Sequence, residues 1–300
     1  MARIVLAGEA MLELARSDGN WHLGYGGDTL NTAIHLARAG HDVAYLTAIG
    51  CDPLSAGLKS AWAGEGLDTS LVLEHPDRAT GLYAITTDAV GERSFSYWRD
   101  TSAARNMFAL PRMADALDAA RQADWLVFSL ISLAVLAPQD RASLLALARS
   151  VRDRGGKVAF DGNYRPRLWK CPQDAREARD AAIACADIGL PTLEDEALLS
   201  GERDADTAFA HWSGLGCGET IVKLGASGCR LPDGQIVPPP AVLAPVDTSG
   251  AGDAFNAGYL AARCDGKRPA EAARKGHSLA GWCVMRGGAI PFRDGEAPYA

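Results

Sequence analysis

The sequence contains no uninterrupted apolar run of about eighteen residues, which is the length that a helix needs to cross a membrane. The apolar stretch at its start is short and ends at Glu9, so we expect no signal peptide. Runs rich in lysine and arginine are also missing, and the 37 acidic and 30 basic residues give a net charge of −7. These absences argue against a membrane-spanning protein and against a nucleic acid or a membrane surface as the partner.

The residue spacings that typically bind zinc are absent too. None of the seven cysteines forms a Cys-x-x-Cys pair, and none of the six histidines forms a His-x-x-x-His or His-Glu-x-x-His pair. A structural zinc site is therefore not expected. An odd number of cysteines without an export signal indicates reduced thiols, so we expect a cytoplasmic protein.

The composition is that of a folded α/β protein. The 300 residues are 48% apolar and 22% charged, which excludes intrinsic disorder and a coiled coil. Apolar runs, which predict strands, lie at Arg3–Ala7, Val43–Ile49, Leu71–Leu73, Trp125–Ser129, Lys157–Asp161, Ile188–Leu190 and Glu219–Lys223. Segments of helical periodicity lie at Thr29–Ala39, Leu54–Gly64, Ala114–Arg121, Asp140–Arg154, Asp174–Cys185, Asp204–Leu215 and Ala251–Cys264. This alternation predicts a mostly parallel central sheet with helices on both faces.

Two stretches interrupt the alternation. Met11–Gly24 and Thr80–Arg99 carry strand-like sequence, and the second is typical of a hairpin whose turn is Ala89–Glu92. We predict a single domain over residues 1–300. In it, about 9–25 and 79–104 form a small antiparallel sheet over one edge of the main sheet.

The segment Asp247–Asp253, with the sequence Asp-Thr-Ser-Gly-Ala-Gly-Asp, opens a predicted helix. Its two glycines and the free N–H groups of a helix start favour a bound phosphate, and we call Gly250–Gly252 the anion seat. Asp253 lies beside it in the first helical turn, where a carboxylate can take a proton from a hydroxyl that attacks a phosphoryl group. The alternative is an ordinary helix start with an acidic first-turn residue.

Two arginines indicate a ligand that carries a carboxylate. Arg99 follows Tyr97 by two residues on a predicted strand, so both side chains point to the same face. The guanidinium fork suits a planar carboxylate, although a solvated surface arginine is the alternative. Arg165 follows another strand end, which is a frequent ligand position in open α/β sheets, and Arg167 is the alternative to it.

Two motifs resemble those of the ribokinase-like, PfkB-type sugar kinases. One is Asp-Thr-x-Gly-Ala-Gly-Asp at 247–253, and the other is the glycine pair with a following asparagine in the run 26–40. The resemblance covers essentially the whole chain. It implies a ribokinase-like three-layer α/β sandwich, a small β-sheet lid and ATP-dependent phosphorylation of a sugar. The catalytic residues it implies are Asp253 as the base and, around the transferred phosphoryl group, the N–H groups of Gly250, Ala251 and Gly252.

Within that family, residues 91–99 and 160–169 are most similar to the kinases of 2-keto-3-deoxygluconate, a sugar acid. This similarity implies phosphorylation of the terminal 6-hydroxyl. The substrate-binding residues it implies are Gly27, Asp28, Asn31, Tyr83, Tyr97, Arg99, Arg165 and Asp253. For Tyr83, packing within the small sheet is the alternative, because aromatic residues are common in strands.

The resemblance also assigns a nucleotide side of the cleft, with ATP and Mg²⁺ as cofactors. The residues it implies there are Asn163, Lys223, Gly225, Ala226, Ser227, Gly228, Gly250 and Gly252. For the turn 223–228, the alternative is a plain tight turn.

The chain departs from the family at one place. Many members carry Asn-x-x-Glu near the end of a central strand, and this chain has Thr192 and Asp195 at those positions. We expect Asp195, or Glu194 beside it, to act on magnesium through water. A kinase of a neutral sugar such as fructose and a sugar-binding sensor without catalysis are the alternative functions. The resemblance also implies a homodimer or a higher homo-oligomer.

Overall fold

The computed structural model describes residues 2–17, 19–87 and 93–299. Its strands are β1 (Arg3–Ala7), β2 (Met11–Ser17), β3 (Asn20–Gly26), β4 (Asp42–Gly50), β5 (Val72–His75), β6 (Gly81–Thr87), β7 (Arg93–Trp98), β8 (Trp125–Ser129), β9 (Lys157–Asp161), β10 (Ile188–Gly189), β11 (Glu219–Thr220), β12 (Val222–Lys223), β13 (Cys229–Arg230) and β14 (Ile236–Val237). Its α-helices are α1 (Asp28–Arg38), α2 (Pro53–Gly64), α3 (Met113–Ala120), α4 (Leu130–Val135), α5 (Pro138–Asp153), α6 (Pro172–Ile183), α7 (Leu193–Ser200), α8 (Ala205–Gly214), α9 (Ala251–Cys264) and α10 (Pro269–Val284). Across these described ranges, no helix has the length and apolar character that crossing a membrane requires.

The central sheet has seven strands in the order β11-β10-β9-β8-β1-β4-β5, and the neighbours pair in parallel. A parallel sheet is covered on both faces, which is why its strands are continuous apolar runs. Successive side chains of β1 belong to different cores: Ile4 belongs to a core shared with α1, α2, α9 and α10, and Val5 to a core shared with α3 to α8. The predicted parallel sheet with helices on both faces is therefore confirmed.

A separate small sheet has the order β3-β2-β6-β7. The hairpins β2–β3 and β6–β7 are antiparallel, but β2 and β6 join them as a parallel pair. The predicted antiparallel pairing is therefore confirmed within both hairpins, and only the central β2–β6 pair departs from it. The reason is that β2 and β6 each follow a strand of the parallel main sheet, and therefore leave it from the same edge in the same direction. The predicted turn at 89–92 lies outside the described residues.

The predicted strand 219–223 is two strands in two sheets. β11 closes the edge of the central sheet, and β12 starts a three-stranded sheet with β13 and β14. The backbone N–H of Lys223 still donates to the Pro191 carbonyl at 2.8 Å, so β12 remains hydrogen-bonded to the segment that follows β10 of the central sheet. As a result, the Lys223 side chain reaches the carboxyl edge of the central sheet, where α1 and α9 begin.

Candidate active site

Asp253 lies in the first turn of α9 and is held by α1. The Asn31 side-chain amide donates to Asp253 Oδ2 at 2.7 Å, and the Thr32 hydroxyl donates to the Asp253 carbonyl at 3.2 Å. Both helices begin at the carboxyl edge of the central sheet, which is where ligands bind in open α/β folds. The predicted base and one of the predicted sugar-binding residues are therefore in direct contact.

The surroundings of Asp253 favour its protonated form. Burial, together with the nearby carboxylates of Asp28 and Asp161, raises the pKa of Asp253 to about 8, against the opposing effects of Asn31 and Lys223. Burial also raises the pKa of Asp28. A carboxyl whose pKa lies near the working pH is well suited to accept a proton during a reaction.

Below the anion seat lies a network of three polar side chains that are almost completely buried. Lys223 Nζ donates to Asp161 Oδ1 at 3.0 Å and to Asn256 Oδ1 at 3.1 Å, and Asn256 Nδ2 donates to Asp161 Oδ2 at 3.0 Å. A Cβ at Gly252 would be 3.8 Å from the Lys223 ammonium. The network therefore fixes a positive charge beside the anion seat.

The anion seat is built on a glycine that no other residue could replace without a clash. Gly250 is the N-cap of α9 with φ of +69°, and a Cβ there would lie 2.8 Å from the Ala289 Cα. Asp247 accepts the backbone N–H of Ser249 at 2.9 Å and that of Gly288 at 2.7 Å. The loop around Ala289 is thus packed against the seat and hydrogen-bonded to the segment that leads into it.

The predicted sugar side and nucleotide side meet at Asp28. Asp28 Oδ1 accepts the backbone N–H of Thr29 at 2.8 Å, and Asp28 Oδ2 accepts the side-chain amide of Asn163 at 3.2 Å. Gly27 precedes it with φ of +146°, and a Cβ there would collide with the Glu9 carbonyl. This glycine lets the start of α1 approach the backbone that links β1 to β2.

Three of the predicted contacts come from the small sheet. The Tyr83 hydroxyl donates to Glu13 and lies against Gly26. Any side chain at position 26 would collide with that hydroxyl. The Tyr83 ring lies 6.0 Å from the Tyr97 ring, and the Arg99 guanidinium lies 5.9 Å from the centre of the Tyr97 ring. The structure therefore brings Tyr83, Tyr97 and Arg99 to one side of the small sheet.

Arg99 already has an internal partner. It is almost fully buried, its Nε donates to Glu9 Oε2 at 2.8 Å, and its Nη2 donates to the same oxygen. The Ser102 hydroxyl donates to Glu9 Oε1. Glu9 is also completely buried, so it balances the charge of Arg99 inside the protein.

Arg165 and Asp195 form an ion pair near the protein surface. Arg165 is exposed, and its Nη1 lies 3.2 Å from Asp195 Oδ1 and 2.7 Å from the Tyr164 carbonyl. Burial raises the pKa of Asp195, and the Arg165 charge opposes that rise. Arg167, two residues after Arg165, is exposed. In the turn at 223–228, Gly225, Ala226 and Ser227 are exposed as well. Gly228 is buried with φ of +105°.

Sequence reasoning missed four residues of this region. Asp161 ends a predicted strand, and Asn256 follows Asp253 by three residues on one predicted helix, which places Asn256 and Asp253 on the same helical face. The positions of Asp161 and Asn256 in the sequence could therefore have indicated that they lie in the site. Glu9 and Glu13 flank a strand start, and nothing in the sequence pattern pairs them with Arg99 and Tyr83.

The sequence matches the profile described as pfkB family carbohydrate kinase over residues 1–294. The chain belongs to that family. It is 40% identical to 2-dehydro-3-deoxygluconokinase of Dickeya dadantii, covering 96% of each chain. It is also 40% identical to the enzyme of the same name from Escherichia coli, covering 97% of this chain and 98% of that one. The predicted class, an ATP-dependent sugar kinase, is confirmed.

Solved structures agree with this assignment. A PfkB protein from Polaromonas sp. JS666 superposes with a TM-score of 0.85 at 28% identity, covering 97% of each chain. Aminoimidazole riboside kinase from Salmonella enterica superposes with a TM-score of 0.84 at 27% identity, covering 96% of this chain and 95% of that one. The latter structure contains aminoimidazole riboside and an ATP analog.

Proposed function

We propose that this enzyme transfers the γ-phosphoryl group of ATP to the 6-hydroxyl of 2-keto-3-deoxygluconate. The observation that carries the reaction type is Asp253, buried between Asn31 and the anion seat with a pKa of about 8. The substrate is supported by the relatives named 2-dehydro-3-deoxygluconokinase, which are 40% identical over almost the full length.

In the proposed mechanism, Asp253 takes the proton of the 6-hydroxyl as its oxygen attacks the γ-phosphorus in line. The hydrogen bond from Asn31 holds the carboxylate in one orientation. The backbone N–H groups of Gly250, Ala251 and Gly252 bind the phosphoryl oxygens at the helix start, and Lys223 supplies positive charge next to them. The N–H of Ala251 donates to the Thr248 carbonyl at 3.3 Å, and in this mechanism it would exchange that long bond for one to the phosphoryl group.

The nucleotide side of the proposed site has oxygen donors that fit Mg²⁺. Asn163 Oδ1 is buried and has no hydrogen-bond partner within the described residues, and the Asp195 carboxylate accepts from Arg165, two residues after Asn163. Mg²⁺ prefers such oxygens and keeps several waters, so Asn163 and Asp195 would hold it together with waters and the phosphates. Bound there, it would neutralise charge on the phosphates. The turn at 223–228 would lie along the nucleotide.

The proposed recognition of the sugar acid combines Gly27, Asp28 and Asn31 on α1 with groups from the small sheet and from Arg165. Tyr83 and Tyr97 would contact the sugar, and Arg99 and Arg165 would bind its carboxylate. Glu9 holds the Arg99 guanidinium in one orientation, so that arginine is ordered before the substrate arrives. Arg165 can exchange its exposed bond to Asp195 for one to the substrate.

The organisation we propose is a single kinase domain over residues 1–300, in which about 9–25 and 79–104 act as a lid that excludes water. A cytoplasmic location agrees with its seven free cysteines. We also propose a homodimer that pairs through the strands of the lid.

A screen of sugars and sugar acids with Mg·ATP tests the substrate. We expect phosphorylation of 2-keto-3-deoxygluconate and strong discrimination against fructose, because a neutral sugar cannot accept the charge-assisted hydrogen bonds that Arg99 and Arg165 would donate to a substrate carboxylate. Equal efficiency with fructose would favour a neutral-sugar kinase. Binding of a sugar without any ATP turnover would favour a sensor.

A further inference from the structure

A hydrogen-bonded chain runs from Tyr299 through His35 to Ala289, outside the groups that act on the substrate. The Tyr299 hydroxyl lies 2.7 Å from His35 Nδ1, and His35 Nε2 lies 3.0 Å from the Ala289 carbonyl oxygen. A carbonyl oxygen can only accept, so Nε2 carries the proton and Nδ1 accepts from the Tyr299 hydroxyl. Both bonds therefore have a fixed direction.

The surroundings of His35 keep this chain in one state. His35 is completely buried in α1, and burial lowers the pKa of its imidazole to about 4, so the ring is neutral near pH 7. Arg38 Nη1 donates to the Pro291 carbonyl at 2.7 Å and lies 3.4 Å from the Tyr299 hydroxyl oxygen. Glu65 accepts two hydrogen bonds from Arg38, at 2.7 and 2.6 Å. The outer end of the chain is thus anchored by an ion pair.

The inner end of the chain reaches the anion seat. Ala289 packs on Gly250, and its neighbour Gly288 donates to Asp247. His35 therefore holds the carbonyl of the residue that forms the wall of the seat. If Ala289 moved, Gly250 and the first N–H groups of α9 would lose the surface against which they pack.

We propose that His35 and Tyr299 are positioning residues for phosphoryl transfer, which fix the anion seat through Ala289. Phosphoryl transfer is sensitive to small displacements of the groups that hold the transferred phosphoryl group. Loosening the seat should thus lower kcat while leaving the sugar subsite, and hence the KM for the sugar, largely intact. The inference rests on the role proposed above for the anion seat.

Tyr299→Phe tests this, because it removes the hydroxyl and keeps the ring that packs on His35 and Trp282. We expect kcat to fall about 5- to 20-fold, with the KM for the sugar within about twofold of wild type. His35→Leu should lose at least as much kcat. His35→Gln should recover part of it, because its amide can still donate towards Ala289.

Asp294→Asn is the matched control. Asp294 holds the same C-terminal segment by accepting from Trp282 Nε1 at 3.0 Å and from Arg286 Nε at 2.7 Å, so removing its charge should lower the melting temperature without lowering kcat. Circular dichroism at the assay temperature verifies that each variant is folded. Wild-type kcat in folded Tyr299→Phe, or an equal loss of kcat in Asp294→Asn, would overturn the proposal.

The same assay separates this inference from the proposed substrate. Wild-type rates with 2-keto-3-deoxygluconate and with fructose show which sugar is phosphorylated. The positioning effect is the ratio of variant to wild-type kcat on that sugar, whichever sugar it is. The positioning role can therefore be refuted while the substrate assignment holds, and confirmed while that assignment is refuted.

Discussion

Asn31 and Asp253 are 222 residues apart in the sequence and share a hydrogen bond of 2.7 Å. The bond favours the charged form of the carboxylate, whereas burial and two neighbouring carboxylates favour the protonated form. The carboxyl therefore keeps one orientation while its pKa stays close to the pH at which a proton acceptor is useful. This balance between Asn31 and the acidic neighbours is the basis of the first two predictions.

Asp253→Asn should fold and bind both substrates yet lose most of its turnover, because the amide cannot accept the hydroxyl proton. The expected loss of kcat is about 10²- to 10⁴-fold, measured by coupled assay of ADP release. Asp265→Asn, at the exposed far end of the same helix, serves as the control and should keep wild-type kcat. A near wild-type kcat in Asp253→Asn would remove Asp253 from the role of base.

The pH dependence of kcat/KM should report the Asp253 carboxyl in the free enzyme. Because the pKa is raised to about 8 and the base must be ionised, kcat/KM should rise with pH up to about 8 and then level off. The Asp28 charge contributes to that rise in the pKa of Asp253. Asp28→Asn should therefore shift the rising part of the pH profile, its acid limb, to lower pH, whatever the effect on the maximal rate. A limb that stays in place would contradict this coupling.

Gly252→Val should damage phosphoryl transfer more than sugar binding, because its side chain would enter the anion seat beside the Lys223 ammonium. We expect kcat to fall at least about tenfold with little change in the KM for the sugar, and Gly252→Ala to lose less. Gly57→Val, at an exposed helical glycine with open space around it, is the control for the change in helix propensity. Unchanged kcat in folded Gly252→Val would mean that the phosphoryl group is bound elsewhere.

Arg165→Ala should raise the KM for 2-keto-3-deoxygluconate about 10- to 150-fold, which corresponds to the loss of a charge-assisted hydrogen bond of about 1.5–3 kcal/mol. The KM for ATP should change little. Arg167→Ala, two residues along and also exposed, is the matched control and should keep the wild-type KM. If Arg167→Ala produces the larger effect, Arg167 is the residue that binds the carboxylate.

Arg99→Ala should raise the same KM and also lower the free energy of unfolding, because it leaves the buried Glu9 carboxylate without its ion-pair partner. Arg99→Lys should recover only part of the KM, since a point charge lacks the guanidinium fork. Thermal melting separates the two effects. A normal KM in both Arg99→Ala and Arg165→Ala, or equal wild-type efficiency with fructose, would refute carboxylate recognition.

Buried regular elements were predictable from the sequence. The bounds of β1, β8 and β9 agree with the predicted strands, and those of α9 agree with its predicted helix. The three strands are continuous apolar runs and the helix follows a glycine motif, so the burial pattern and the local conformational preference predict the same element bounds. Three helices, α4, α7 and α10, were not predicted. The six apolar residues of α4 are too few to show helical periodicity, and many residues of α10 are small, so its apolar periodicity is weak.

The contacts within the site were less predictable than the residues that make them. Lys223 was expected near the nucleotide from its motif, but its bonds to Asp161 and Asn256 join segments 62 and 33 residues away. Arg99 likewise pairs with Glu9 across 90 residues. Such pairs depend on the order of strands in the two sheets, which local sequence patterns do not determine.

The position of α9 has a consequence for how the enzyme is made. All seven strands of the central sheet have been synthesised by Thr220, but the face that α1 and α2 cover is completed only when α9 and α10 follow. The docking of α9 that buries this face also brings Asp253 to Asn31. A nascent chain should therefore complete this second core and bring the proposed catalytic carboxylate into place in one step, near the end of translation.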